Sequence, residues 1–465
     1  AEEWLSKPRV EVVYDLRNLG LNRAPDETSE YLLAAFRCAF AILVHTTLLC
    51  LFRRIGGAES GRLRDALGVC LFRIQHGGRE TGPLSGDQGV FAAAQAVELA
   101  LGRDLDVRMQ GLLLRDSEGS GATADTSGGM PREKRRGLYG ALFGGFPLVI
   151  ERRGGGDLEP AIGLVAFAER PCNEHPERPG TAEAILTMAR TYLATAVTEP
   201  FRGYEIRCDG APMDVREARE ADSLPAAVLE EIRRLHEVRG CRHVMVLAHR
   251  YGSRHIGWAA ARMHAPDLPR LVARAAAEFP DLCLYPLARD TFPVTRMRRR
   301  GRDEDAFEIV QPDEHLRSYP DEARELRHAY TPVYSLATLH VVGEAGRPQS
   351  GFCTYFLLRD SGAGPIEAAE RIRANLLLST SPVRADLIAL LRGVHYLESQ
   401  RPATAAGTAQ PVLDPYPWTH PEKVGHVGEI RVSASRRRAG NVDLSLPAVL
   451  ERVSRVLHAR PTSRA

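Results

Sequence analysis

Apolar residues along the chain recur with two periods, and the shift between them marks its organisation. The run VEVVYDLRN (10–18) reads as a buried strand, and PDETSE after it offers Asp26 or Thr28 as a helix cap. Within YLLAAFRCAFAILVHTTLLCLF (31–52), Leu33, Phe36, Phe40, Val44, Thr47, Leu48 and Leu51 follow three- and four-residue spacing, which predicts a helix with one buried face. A strand over VCLFRI (69–74) and a helix over VFAAAQAVELALGRD (90–104) come next. This alternation predicts a small α/β layer with a mainly parallel sheet.

The segment DSEGSGATADTSGGMPREKRR (116–136), rich in Gly, Ser and Thr, predicts a mobile loop and a division into domains 1–139 and 140–465. Beyond it, strand-like runs dominate: PLVIERR, EPAIGLVAFAER, GYEIRCDG, HVMVLAH (243–249), LCLYPLA (282–288), TPVYSLATLHVVG and SGFCTYFLLRD. Helices are predicted over TAEAILTMARTYLATAV (181–197), AAVLEEIRRLHEVRG (226–240), LPRLVARAAAEF (268–279), GPIEAAERIRANLLL, DLIALLRGVHYL and LPAVLERVSRVLHA. The expected class is α/β, with a mixed sheet carrying helices in the larger half.

Composition narrows this picture only slightly. A net charge of +2 over 465 residues gives no global basic signature, so any nucleic-acid contact must come from a local patch. Three lysines, Lys7, Lys134 and Lys423, leave 58 of the 61 basic residues as arginine, a general bias that weakens arginine abundance as a sign of phosphate binding. The eight cysteines are at least twelve residues apart, without a CxxC pair, which predicts buried thiols in a reducing cytoplasmic setting. Arg37 and His45 interrupt the apolar run at 31–52, so a core helix and no membrane span is expected.

The chain lacks GxGxxG after a strand, GxxxxGK[ST], HExxH and GxSxG. Histidines 243, 249, 255 and 264 suit strand ends and core contacts better than a compact metal site. The densest charge lies in VTRMRRRGRDEDAFEIV (294–310), with five arginines within seven residues. Extended backbone would place Arg296, Arg298 and Arg300 on one face, where guanidinium groups can track successive phosphates. The competing reading is a solvated hairpin tip in which Arg299, Arg300 and Arg302 pair with Asp303, Glu304 and Asp305. Arg250 and Arg254, in HRYGSRH, rank with Arg296, while Tyr251 and Trp258 are candidates for base stacking.

From about residue 140 the order of elements resembles an RNase H-like fold, and AAVLEEIRRLHEVRGCRHVMVLAHRYGS is similar to the helix and strand that lead to Arg-Asp-Gly in Argonaute and PIWI proteins. LPRLVARAAAEF, LCLYPLA, VTRMRRR and DPYPWTHPEKVGHVGEI follow in the family's order, so the resemblance spans roughly residues 140–450. It implies an RNase H-like PIWI domain over 140–465, preceded by a MID-like layer over 1–139 that would anchor a guide's 5′ phosphate. Within this prokaryotic superfamily the pPIWI-RE branch is named for an Arg and a Glu, for which RMRRRGRDEDAFEI offers Arg296 or Arg298 with Glu308.

The departures set the functional expectation. Ala248-His249-Arg250 stands where the family's active members carry Asp, and AIGLVAFA (161–168) holds no carboxylate. The resemblance therefore implies a module that grips guide RNA or DNA and its target strand through Arg250, Arg254, Arg296, Arg298 and Arg300 in prokaryotic defence, with any cleavage supplied by a nuclease or helicase partner. An alternative is an RNase H-like endonuclease using Mg²⁺ or Mn²⁺ with Glu308, Glu169 and Asp209, and with Glu159 as a further candidate. A third is an α/β protein-interaction scaffold.

Overall fold

The apolar runs from residue 148 onward pair into one nine-stranded sheet, seen in a computed structural model. The structure describes residues 37–51, 69–75, most of 93–101, 108–114, 147–175, 178–210, 212–217, 225–250, 267–294, 296–299, 307–310, 330–342, 347–358, 366–399, 429–433 and 441–459. The expected loop at 116–136 lies outside them.

The sheet is built from β3 (Leu148–Glu151), β4 (Ala161–His175), β5 (Arg178–Val197), β6 (Gly203–Gly210), β7 (Met213–Glu217), β8 (His243–Arg250), β9 (Cys283–Val294), β12 (Tyr330–Val342) and β13 (Arg347–Leu358). Its order is β12-β13-β9-β8-β4-β5-β6-β3, with β7 paired to β5. Strands β4, β5 and β6 form an antiparallel meander, and β8 and β9 then add in parallel on the other side of β4. A helix, α3 (Ala226–Arg233), precedes β8, and α4 (Asp267–Glu278) connects β8 to β9. A meander followed by parallel strands reached through helices is the RNase H-like α/β arrangement, as the element order predicted.

Helices cover both faces of the sheet. Ile162, Leu164 and Ala166 of β4, Met245 and Leu247 of β8 and Tyr285 of β9 pack with Leu376 of α5 (Ile366–Leu377) and Leu387, Leu390 and Leu391 of α6 (Pro382–Ser399). On the opposite face, Val165, Phe167, Val244, Val246 and Leu284 pack with Val228 and Ile232 of α3 and Leu271 and Ala275 of α4. A strand buried on both faces has no polar alternation to display, which explains the continuous apolar runs of β4 and β8. Beside this core, β3 approaches β6 closely: a Cβ on Gly203 would lie 2.0 Å from the Ile150 carbonyl oxygen, so only glycine fits there.

Residues 181–197, expected as a helix, belong instead to the twenty-residue strand β5. The Ala- and Leu-rich run imitates helical composition, but Leu186, Tyr192 and Ala194 enter cores on one face while Ala189 enters the core on the other. Pairing on both sides, with β4 and with β6 or β7, satisfies its backbone and overrides helix propensity.

In the first part of the chain, the parallel pair β1 (Val69–Gln75) and β2 (Arg108–Leu114) brackets helical residues between 93 and 101, designated α2, as the alternating pattern predicted. The first long helix, α1 (37–51), buries Ala41, Val44, His45 and Leu49, whereas Thr47, Leu43 and Leu51 are exposed. Its buried face is thus rotated from the predicted one. The reason is a partner distant in sequence: Leu446 and Leu450 of α7 (Leu446–Ala459) close one core with Ala41, Val44 and Leu49 of α1 and Ala93, Val97 and Leu101 of α2. Ser454 of α7 also meets buried His45, Oγ to Nε2, at 3.4 Å. The same helix touches the large sheet, where Ala448 packs with Leu186 and Val215, and Arg455 donates to Asp214 at 2.9 Å and to the Val215 carbonyl at 2.6 Å. Among the described residues, no helix is long and apolar enough to cross a membrane.

Candidate functional site

The parallel ladder between β4 and β8 fixes which residues of β4 lie beside the end of β8. Ala166 stands opposite Leu247, Phe167 opposite Ala248, Ala168 opposite His249 and Glu169 opposite Arg250. Ala166 and Leu247 are buried among apolar neighbours and offer no metal ligand. Glu169 stands level with the last residue of β8, and its carboxylate accepts from the Arg216 guanidinium and, at 3.0 Å, from the hydroxyl of its ladder partner Thr187. Arg216 is nearly buried, so Glu169 balances a charge that has little access to water.

Asp209 is held still more completely. Thr191 of β5 pairs with Gly210 and Tyr192 with Cys208, which leaves Asp209 as the extra residue of a bulge that re-aims its side chain. Opposite it, the helix predicted for 226–240 widens into a π turn over Arg234–Val238, where the Arg239 amide donates to the Arg234 carbonyl at 3.1 Å. This five-residue step brings Arg234 and Arg239 to one side. Asp209 accepts from Arg234 Nη1 at 2.5 Å and from Arg239 Nε and Nη2 at 3.1 and 2.6 Å. Burial opposes the charge on Arg234, but hydrogen bonds and attraction from Glu231 and Asp209 outweigh it and hold its pKa above the ordinary arginine value.

Glu169 and Asp209 thus each end in guanidinium groups of their own. Among the described residues, no group of three or more His, Cys, Asp or Glu side chains gathers to hold a metal ion. This donor set does not fit the divalent cation that an RNase H-like nuclease uses.

The arginine-rich segment forms a separate hairpin of β10 (Arg296–Arg299) and β11 (Phe307–Val310). Arg296 pairs with Val310, Arg298 with Glu308 and Arg299 with Phe307. Of the two arginines offered with Glu308, Arg298 is its direct cross-strand neighbour in register and Arg296 is not. The side chains of Arg296, Arg298, Glu308, His249 and Arg250 lie outside the description, as do residues Arg254, Arg300, Tyr251 and Trp258 altogether.

Sequence reasoning missed a buried polar cluster at the opposite, amino-terminal end of β4, β8 and β9. Arg152 donates from Nε to Asp386 at 2.8 Å, with side-chain exposures of 4% and 1%. Its Nη1 turns to the carbonyls of Gly154 and Gly155, and the other Asp386 oxygen accepts from the Glu159 amide at 3.3 Å. Asn375 donates to the Tyr285 hydroxyl at 3.1 Å, and that hydroxyl lies 2.7 Å from His243 Nδ1. The other ring nitrogen of His243, Nε2, faces Glu159 at 3.8 Å. The signal for this cluster was His243 at the start of β8 and Glu159 just before β4, two strands that proved to be paired.

Burial and the nearby Arg242 guanidinium lower the His243 pKa to about 4, against the pull of Asp386 and with a smaller push from Arg371. The folded chain thus takes up this proton later than the unfolded chain does. Stability from this group is intact above about pH 6.5, the unfolded value, and falls as pH drops toward 4. Glu159, raised mainly by its own burial, works in the opposite sense nearer its ordinary value. His243→Asn is expected to flatten the acid side of the stability curve between about pH 6.5 and 4. Urea unfolding midpoints across that range check this, and an unchanged acid-side slope would contradict it.

No protein-family model matches the chain, and no curated protein matches it. Among solved structures, the C-terminal lobe of a budding yeast Argonaute aligns over 75% of this chain and 83% of that chain, with 10% identity and a TM-score of 0.20. A likeness of that size carries no weight for the fold, which rests on the strand order of the chain itself.

Proposed function

We propose that this chain is a PIWI-like nucleic-acid-binding module that holds a guide or a guide–target duplex by its sugar–phosphate backbone in prokaryotic defence. The observation that supports this reading is the parallel ladder of β4 and β8, which sets the acid-free run AIGLVAFA beside Ala248 and His249, where the resemblance implies carboxylates. Arg250, Arg254, Arg296, Arg298 and Arg300 are the proposed backbone contacts, and the layer within residues 1–139 is proposed to receive one end of the guide. Such contacts fix position without reading sequence.

Glu169, Asp209 and Glu308 keep structural roles in this proposal. The first two neutralise arginines, and Glu308 stands opposite Arg298 in the hairpin. The test is filter binding of short single-stranded and hybrid RNA and DNA across a salt series. Affinity is expected to fall linearly on logarithmic axes, with a slope of about −0.7 to −0.9 per phosphate contacted. Binding no tighter than that of an unrelated protein, or unchanged between low and high salt, would overturn the proposal.

A further inference from the structure

The two edges of the large sheet are built differently. At one of them β3 is four residues long, and β7, which pairs with the other half of β5, has five residues and carries α7 against it. At the opposite edge β12 runs for thirteen residues, Tyr330–Val342, and its one neighbour among the described strands is β13. The strands outside the large sheet do not extend this edge. The pairs β1–β2, β10–β11 and Glu429–Ser433 with Asn441–Ser445 each form a two-stranded sheet of their own.

A strand paired along one side turns alternate amides and carbonyls away from its sheet. Folded chains guard such an edge with a short strand, a proline, a bulge or a charge. In β12 these guards stand only at the start, where Pro332 sits and the register with β13 shifts between Pro332 and Tyr334. From Ser335 to Val342 the sequence SLATLHVV holds no Pro, Gly, Asp, Glu, Lys or Arg. Those residues extend over about 27 Å of backbone.

The same sequence selects the occupant. When a strand pairs with its own copy about a two-fold axis, the two run antiparallel and residues near the axis meet their counterparts, so any charge there would face an equal charge. Ser335–Val342 carries none, and Thr338, Val341 and Val342 are strand formers, which makes the segment its own complement. A charged partner strand would find no counter-charge along it. We propose that β12 is a homodimerisation edge, at which Ser335–Val342 pairs antiparallel with the same segment of a second copy and continues the sheet from one protomer into the other. An interface of one strand pair is small, so the dimer forms at roughly tens of micromolar and separates on dilution. The pairing is independent of the nucleic-acid reading.

The experiment is sedimentation equilibrium of the full chain from roughly 0.5 to 50 µM, a range that brackets weak association, with hydrogen exchange at both ends of the range. Wild type is compared with Thr338→Pro and Leu339→Pro. Successive amides of a strand point to opposite edges, so one of these prolines removes an outward donor and the other an amide that faces β13. The wild-type mass is expected to rise with concentration from 51.2 kDa toward twice that value. Exchange within 335–342 is expected to slow about tenfold over the same range, as outward amides become paired. The outward proline is expected to hold the chain at 51.2 kDa throughout with a urea midpoint close to wild type, and the inward one to lower that midpoint. A wild-type mass of 51.2 kDa at every concentration would overturn the proposal. So would a dimer that persists in both proline variants, or one whose formation leaves exchange in 335–342 unchanged; this last reading needs the wild type alone.

Discussion

Asp386→Ala is expected to lower stability by about 3–5 kcal/mol, because it strands the Arg152 guanidinium in the core without its counter-charge. Arg152 and Asp386 are both almost fully buried, so the charge left behind has little access to water. The loss extends past the pair, since Asp386 also receives the Glu159 amide at the entry to β4. Removing both charges is a different case. The double variant Arg152→Met with Asp386→Leu is expected to recover most of the loss, because desolvating two charges offsets much of what their attraction contributes. Urea unfolding of the single and double variants measures this directly. A double variant no more stable than Asp386→Ala would show that the pair is held for its attraction and not as mutual neutralisation.

Leu450→Ala is expected to cost about 2–5 kcal/mol and to do so locally. Leu450 is fully buried where α7 meets α1 and α2, and alanine leaves a cavity among Ala41, Val44, Ala93 and Val97, residues too small to close it. Hydrogen exchange should show the loss first in 37–51 and 446–459, with β4, β8 and β9 keeping their protection. Undiminished protection in α1 would show that its core does not depend on α7.

Those two sites also show what could be read from sequence. The strands β4, β8 and β9 and the helices flanking them were legible because each is a bounded apolar run or a clean helical period. Strand β5 was not, since burial on both faces erased the alternation that separates a strand from an Ala-rich helix. The α1 face was misplaced because its partner α7 follows it by some four hundred residues. The acid-free run AIGLVAFA and the place of Ala248-His249-Arg250 could be taken from motif order, but the fate of Glu169 and Asp209 could not. It depends on Arg216 approaching from β7, on a one-residue bulge and on a π turn, none of which leaves a periodic trace.

The shared helix α7 has a consequence for how the chain is made. A ribosome releases 41–101 long before 446–450, yet these segments complete one another's core. Until α7 emerges, Ala41, Val44, Ala93 and Val97 have no Leu446 or Leu450 to cover them, and for most of the time of synthesis that surface is a site for chaperones or for wrong partners. Once made, α7 docks on β7 as well and joins that core to the large sheet.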